Sequence, residues 1–304
     1  MSDLGRELSF ASFLFPEPAA GPGLVRQGEL AEELGFDIVA VPDHIDWPHR
    51  VEQWTILAAV AARTRRIQLL PAVSALIVRP PAVLAKAAWS LELIAPGRLI
   101  LGIGTGALPS IRSIGERPWT GREAVDRLRE GMEVIRLLWA GEPKVSYKGT
   151  YYTLDEATPP PPHHRKIDIW VGANRPSMRK LIAQSADGWF PGFNLFAPED
   201  LRPAVQHLDE EILAAGRRLT DVRRVFNAIG RKVQPASDGF LIGPPEQWVE
   251  ELTRVVLEFG FDTILYGDRD ATVEQLRVFA EKVIPGVRSN VAAARAGASR
   301  VRTA

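Results

Sequence analysis

The sequence predicts a (β/α)8 TIM barrel, α/β in class, with a β-hairpin inserted between strands four and five. Three observations carry this. Short apolar runs bounded by turn residues alternate with amphipathic stretches roughly eight times along the chain. Strict alternation implies parallel strands joined by right-handed crossovers, and about eight pairs suit a closed barrel better than a doubly wound sheet. Polar and glycine-rich turns follow several of the apolar runs directly, at the strand ends where barrels keep their chemistry.

In order, Glu7–Phe15 reads as strand one, closed by Pro16. Leu24–Leu34 has helical spacing and ends at Gly35, a C′ glycine. Asp37–Val41 is strand two and Trp54–Ala62 an Ala-rich helix. Ile67–Val73 is strand three, with an internal proline, Pro71, that needs explaining. Pro81–Leu93 is a helix that starts on proline, where a missing N–H is harmless. Arg98-Leu-Ile-Leu101 opens strand four, and Gly102, Gly104, Thr105 and Gly106 close it. Glycines there allow close backbone approach to something flat or charged, or make a tight βα turn with no ligand. Arg122–Trp139 is a long amphipathic helix. Lys144–Leu154 alternates around Lys-Gly and reads as the inserted hairpin. The proline run Pro159–Pro162 stiffens the return path. Then come strand Asp168–Val171, helix Pro176–Ala186, short strand Gly188–Pro191 and helix Ala197–Ala215. Strand Arg223–Ile229, helix Pro245–Phe259, strand Thr263–Tyr266 and helix Thr272–Ile284 complete the barrel. Residues 1–290 are expected to form one barrel domain, and the Ala/Arg-rich residues 291–304 a flexible tail.

Composition narrows the function. Lys+Arg and Asp+Glu number 37 each, a formal net charge of +0 that gives no support to nucleic acid or an anionic membrane as partner. Without cysteine there is no disulfide, thiolate nucleophile or Cys-based metal site. No apolar run reaches the roughly 18 residues of a membrane span, and the first residues lack a secretory pattern. A cytoplasmic protein is expected, with a small-molecule substrate and a second copy of the chain as partners.

Candidate chemistry lies after the strands. Phe13 follows strand one as an aromatic wall, and Asp43, His44, Asp46 and Trp47 follow strand two. Ser74 and Ala75 follow strand three, and Phe193 and Asn194 follow strand six. His44 is the proton-transfer candidate, because imidazole titrates near neutral pH and Asp43 beside it is placed to fix its tautomer or raise its pKa. The alternative is a capping Asp next to a structural His. Gly172, Ala173, Asn174 and Arg175 lead into a helix at Pro176. That is the shape of a phosphate cradle, or of an ordinary N-cap made by Asn174 or Ser177. His163 and His164 sit in the proline-rich loop with no carboxylate-rich strand ends to join them, so no metal site is expected. No Gly-x-Ser-x-Gly elbow is present.

Taken together, six segments resemble the luciferase-like monooxygenase superfamily of flavin- and deazaflavin-dependent barrels. They are Leu34–His44 (LGFDIVAVPDH), Gly97–Gly106 (GRLILGIGTG), Leu137–Gly141 (LLWAG), Ile169–Ala173 (IWVGA), Ala186–Trp189 (ADGW) and Gly260–Asp262 (GFD). Within it the chain looks most like the branch that uses coenzyme F420, a 5-deazaflavin. The resemblance implies that Asp43 and His44 are catalytic, with His44 near the reactive ring carbon and Trp47 close by; with Phe13 and Phe193, from their places after strands one and six, Trp47 is expected to line the substrate pocket. It implies a non-prolyl cis peptide at Ala72–Val73 behind the ring, a ring border at Gly104, Thr105 and Gly106, and a phosphate turn at Gly172–Arg175. One departure matters: sugar-phosphate dehydrogenases of this type carry a catalytic Glu after Gly-Thr-Gly, where this chain has Ala107. The resemblance therefore implies F420 redox chemistry on a small organic substrate, with an FMN-dependent monooxygenase or a non-catalytic flavin-binding barrel as alternatives.

Overall fold

The computed structural model describes residues 3–15, 23–46, 51–162, 165–192, 198–267 and 273–302. Trp47, His163, His164, Phe193 and Asn194 lie outside the described residues. The chain runs β1 (Ser9–Phe13), α1 (Gly23–Glu33), β2 (Ile38–Val41), α2 (Gln53–Arg63), β3 (Gln68–Pro71), β4 (Ser74–Ala75) and α3 (Pro81–Ile94). β5 (Ile100–Gly104) leads to a short α4 (Leu108–Ser113) and the long α5 (Gly121–Leu138). β6 (Val145–Lys148) and β7 (Thr153–Ala157) pair antiparallel as a separate two-stranded sheet. β8 (Asp168–Gly172), α6 (Pro176–Ser185), β9 (Gly188–Phe190), α7 (Pro198–Ala214), β10 (Arg223–Ile229), α8 (Pro245–Phe259) and β11 (Thr263–Gly267) follow.

The parallel sheet has the order β3-β2-β1-β11-β10-β9-β8-β5-β4. Its two ends are halves of one stave: β3 pairs with β2, and β4, two residues further on, pairs with β5. A parallel bridge from Leu69 to Leu99 reinforces the closure. The result is an eight-stave barrel. Pro71 is tolerated because it ends β3, and the next donor, Ala72 N–H, bonds the Val41 carbonyl at 2.8 Å.

Residue parity explains the two cores. Along β2, Ile38 and Ala40 face the barrel interior while Val39 and Val41 face the helices; along β10, Val225 and Ile229 face in while Phe226 and Ala228 face out. At the strands' N-terminal end the buried charges are structural. Asp262 lies 3.2 Å from Arg223 and 3.5 Å from Arg6, and burial pushes its carboxyl up despite both arginines. Arg224, fully buried, pairs with Asp209.

Helix ends follow their local chemistry. Gly35 adopts φ 84° after α1, and Phe36 N–H reaches back to the Ala31 carbonyl while Gly35 N–H reaches Glu32, a Schellman closure. The expectation of a tail is corrected at the other end of the chain. α9 (Val273–Val278) runs through a π turn (Phe279–Val283) into α10 (Ile284–Arg302), so residues 291–302 are helical. The π turn widens the helix just before Pro285, where a normal turn would lose a bond and crowd the ring. Val291 is buried, and Arg295 pairs bidentately with Asp3 at 2.6 and 2.7 Å.

Glu130 attaches the hairpin to α5. Its side chain accepts N–H bonds from Thr150, Tyr151 and Tyr152 at 3.0, 2.9 and 3.3 Å. Burial raises its pKa, but the three donors outweigh burial and hold the carboxyl below its ordinary 4.5. Glu130→Ala leaves those donors without their acceptor and should cost about 1–3 kcal/mol of stability at pH 7. A depressed folded pKa gives stability that is present above 4.5 and lost as pH falls through the folded value. Denaturant melts of both proteins should therefore differ at pH 7 and converge in acid; equal stability at pH 7 contradicts the attachment.

Candidate active site

At the C-terminal ends of the staves a cavity of about 430 Å³ opens. Its wall includes Phe13 from β1, Asp43 and His44 after β2, Ala72 and Val73 in the split stave, and Gly104, Thr105, Gly106 and Ala107 after β5. Gly172, Ala173 and Asn174 follow from β8, Phe190 and Gly192 from β9, and Asn227 and Ile229 from β10. Thus nearly every described residue the sequence singled out is brought together. Arg175, Asp46 and Ser74 are exceptions that stand outside the cavity wall, and Arg175 is exposed at the N-cap of α6.

The Ala72–Val73 peptide is cis. It sits between β3 and β4 and is held from behind by α2. Gln53, buried, donates from Nε2 to the Val41 carbonyl at 2.6 Å and accepts from Ser74 Oγ at 2.5 Å. Trp54 Nε1 donates to the same Ser74 oxygen at 2.9 Å.

The glycines have a different reason from the one their pattern suggested. A Cβ on Gly172 would lie 2.7 Å from Val73 Cγ2, and one on Gly104 would lie 2.9 Å from the same methyl. A Cβ on Gly102 would collide with the Pro71 carbonyl and lie 3.1 Å from Val73 Cγ1. The close approach at these three positions is by the chain's own bulge, and Val73 is seated in the hollow that the missing side chains leave. Only Gly106 has the backbone signature of a turn, with φ 98°.

The acid–base partners also differ from expectation. The Asp43 carboxylate is engaged by Arg79 Nη1 and by the Ala75 N–H at 3.1 Å, so it anchors the loop after β2 to the loop after β4. Arg79 bridges on to Glu52 at the start of α2. The carboxylate beside the His44 ring is Asp46, with Oδ1 3.8 Å from Nδ1. Ser110 of α4 donates to Asp46 Oδ1, and its Oγ lies 3.4 Å from His44 Nδ1. The capping alternative for Gly172–Arg175 also fails: no side chain caps α6, and Asn174 Oδ1 accepts from Gly192 N–H at 2.7 Å, joining the β8 and β9 turns.

Asn227, Ile229 and Phe190 were not identified from sequence. Inward parity on β10 is the signal for the first two, since Val225, Asn227 and Ile229 recur at period two. Asn227 is buried and polar, among inward-facing residues that are mostly apolar. Arg79 had no comparable signal.

The luciferase-like monooxygenase profile matches residues 10–230. The chain belongs to the luciferase-like monooxygenase family. Within reach of this family member are an F420-dependent glucose-6-phosphate dehydrogenase of Microbacterium testaceum, 29% identical over 90% of this chain and 95% of that protein. A second protein of that name, from Kineococcus radiotolerans, is 36% identical over 64% of this chain and 60% of its own length. The barrel also superposes on the coenzyme F420-dependent tetrahydromethanopterin reductase of Methanopyrus kandleri with a TM-score of 0.78, at 21% identity, covering 92% of this chain and 99% of that one. That last likeness concerns the fold.

The Val73 seat yields a prediction. Gly172→Val forces two branched side chains into space built for one, and overpacking of this kind costs about 1–3 kcal/mol. The variant should melt below wild type in thermal scans without any ligand present. An unchanged Tm would mean that Gly172 is not there for Val73.

Proposed function

We propose that this luciferase-like family member is a coenzyme F420-dependent oxidoreductase, transferring a hydride between the deazaflavin and a small organic substrate. The observation that carries this is the cavity itself: His44 after β2, the apolar bulge of the adjoining split stave, and the glycine turns of β5 and β8 beyond it all line one space. The named relatives, F420-dependent enzymes, support the choice of cofactor.

The residues suit the group. A flat tricyclic ring needs an apolar slot with few, well-placed polar groups. Phe13, Ala72, Val73, Phe190 and Ile229 supply the first, and Asn174, Asn227, Thr105 and His44 the second. The bulge at Ala72–Val73 would back the ring. The uncapped N-terminus of α6, with Arg175 exposed beside it, is placed to receive an anionic phosphate arm. Bound there, F420 supplies a two-electron hydride acceptor or donor. His44 binds and orients the substrate's reacting oxygen and takes or gives its proton.

Ala107 narrows the substrate. A sugar-phosphate dehydrogenase mechanism with an acid at this turn does not run here, because alanine carries no proton. The substrate is one for which a single imidazole suffices.

Calorimetric titration with coenzyme F420 and with FMN tests the cofactor. The deazaflavin should bind and FMN should bind weakly or not at all. Tight FMN binding with none for F420 overturns the reading in favour of a flavin monooxygenase.

A further inference from the structure

We propose that Asp46 and Ser110 form a proton-holding relay to His44 that sets its tautomer and charge, in the corner of the cavity where Ala107 leaves no acid. In its catalytic meaning this rests on the oxidoreductase reading above; in its geometry it does not.

The relay joins two separate elements. Asp46 lies in the loop after β2, and Ser110 in the first turn of α4, directly after the Gly104–Ala107 turn. Ser110 is buried, and its hydroxyl has one proton to give. That proton goes to Asp46 Oδ1, the stronger acceptor. The Ser110 oxygen then accepts, and the donor facing it at 3.4 Å is His44 Nδ1. The chain of bonds therefore runs Nδ1–H to Oγ–H to carboxylate, and holds the neutral ring as the Nδ1–H tautomer. A proton taken from a substrate hydroxyl as its hydride leaves goes to Nε2. The imidazolium so formed lies 3.8 Å from the Asp46 carboxylate, which stabilises it. In the reverse direction the same proton returns from Nε2 to the product oxygen, so atoms and charge balance both ways.

Among the described residues, the neighbouring charges Asp43, Arg79 and Glu52 are engaged with one another. Asp43 is held by Arg79 and the Ala75 N–H, and Glu52 lies on the far side of Arg79. Those groups form their own network one step back from the ring. Asp46, by contrast, is mostly shielded from solvent, with 11% side-chain exposure, so its charge acts on His44 with little screening.

The test is histidine NMR on the cofactor-free protein. Imidazole 15N and 1H shifts are followed through a pH titration for wild type, Asp46→Asn, Ser110→Ala and Ser110→Thr, with His44→Gln assigning the signal. Neutral His44 in wild type should be the Nδ1–H form. Asp46→Asn should lower its pKa by on the order of one unit, the effect of removing a close opposite charge. Ser110→Ala should move the ring towards Nε2–H, and Ser110→Thr, which keeps the hydroxyl, should restore the wild-type tautomer. Circular dichroism confirms folding, and the Ser110 pair decides the matter if Asp46→Asn folds poorly. A wild-type ring already in the Nε2–H form, or a tautomer and pKa unmoved in the folded variants, overturns the relay. Because these spectra need no cofactor, unchanged spectra alongside normal F420 binding sink the relay alone, whereas the expected spectra without F420 binding sink the proposed cofactor alone.

Discussion

The seat of Val73 is the constraint on which the rest of the site depends. One stave of the barrel must pair with β2 below and β5 above, and it changes partner across two residues, Ala72 and Val73. The turn pushes a carbonyl and an isopropyl group against the next two staves. Those staves answer with Gly102 and Gly104 on β5 and Gly172 on β8. A close-packed interior has no slack to absorb a clash of this size. The bulge, the glycine pattern and the shape of the cavity floor are therefore one feature, and a side chain at any of the three glycines would disturb all of it.

Charge is divided between two networks around that floor. Asp43, Arg79 and Glu52 tie together the loops after β2 and β4 and the start of α2. Asp46 and Ser110 instead face the imidazole. The division follows from reach. Asp43 is nearly inaccessible, with 3% side-chain exposure, and a buried carboxylate of that kind needs a cation and a backbone donor, which Arg79 and Ala75 provide. Asp46 lies three residues later, where the loop has turned towards α4. The glycine-rich turn after β5 delivers Ser110 to it, so the same turn that edges the cavity also positions the hydroxyl.

Much of this was legible in the sequence. Strand runs, their alternation with amphipathic helices and the turn glycines pointed to the barrel, and the loops after the strands named Phe13, Asp43, His44, Thr105, Gly106, Ala173 and Asn174, all of which meet in one cavity. What sequence could not supply was partner choice. Adjacency made Asp43 the natural companion of His44, yet neighbouring residues on an extended chain diverge, and the ring's carboxylate is Asp46. The glycines were read as making room for a ligand or a tight turn, because no local pattern reports that Val73, about thirty residues upstream of Gly102 and a hundred before Gly172, fills the space. The last helix was expected to end at Ile284, and the π turn that carries it on past Pro285 packs Phe279 against Tyr266 and Phe36, ring contacts that local propensity does not encode.

A crystal structure of the protein with oxidised coenzyme F420 tests this site most directly. The deazaflavin ring should lie against Val73 in the cavity bounded by Gly104–Gly106 and Asn174, with His44 beside it. A ring bound elsewhere, or a cavity that stays empty while the cofactor occupies another surface, would contradict this placement.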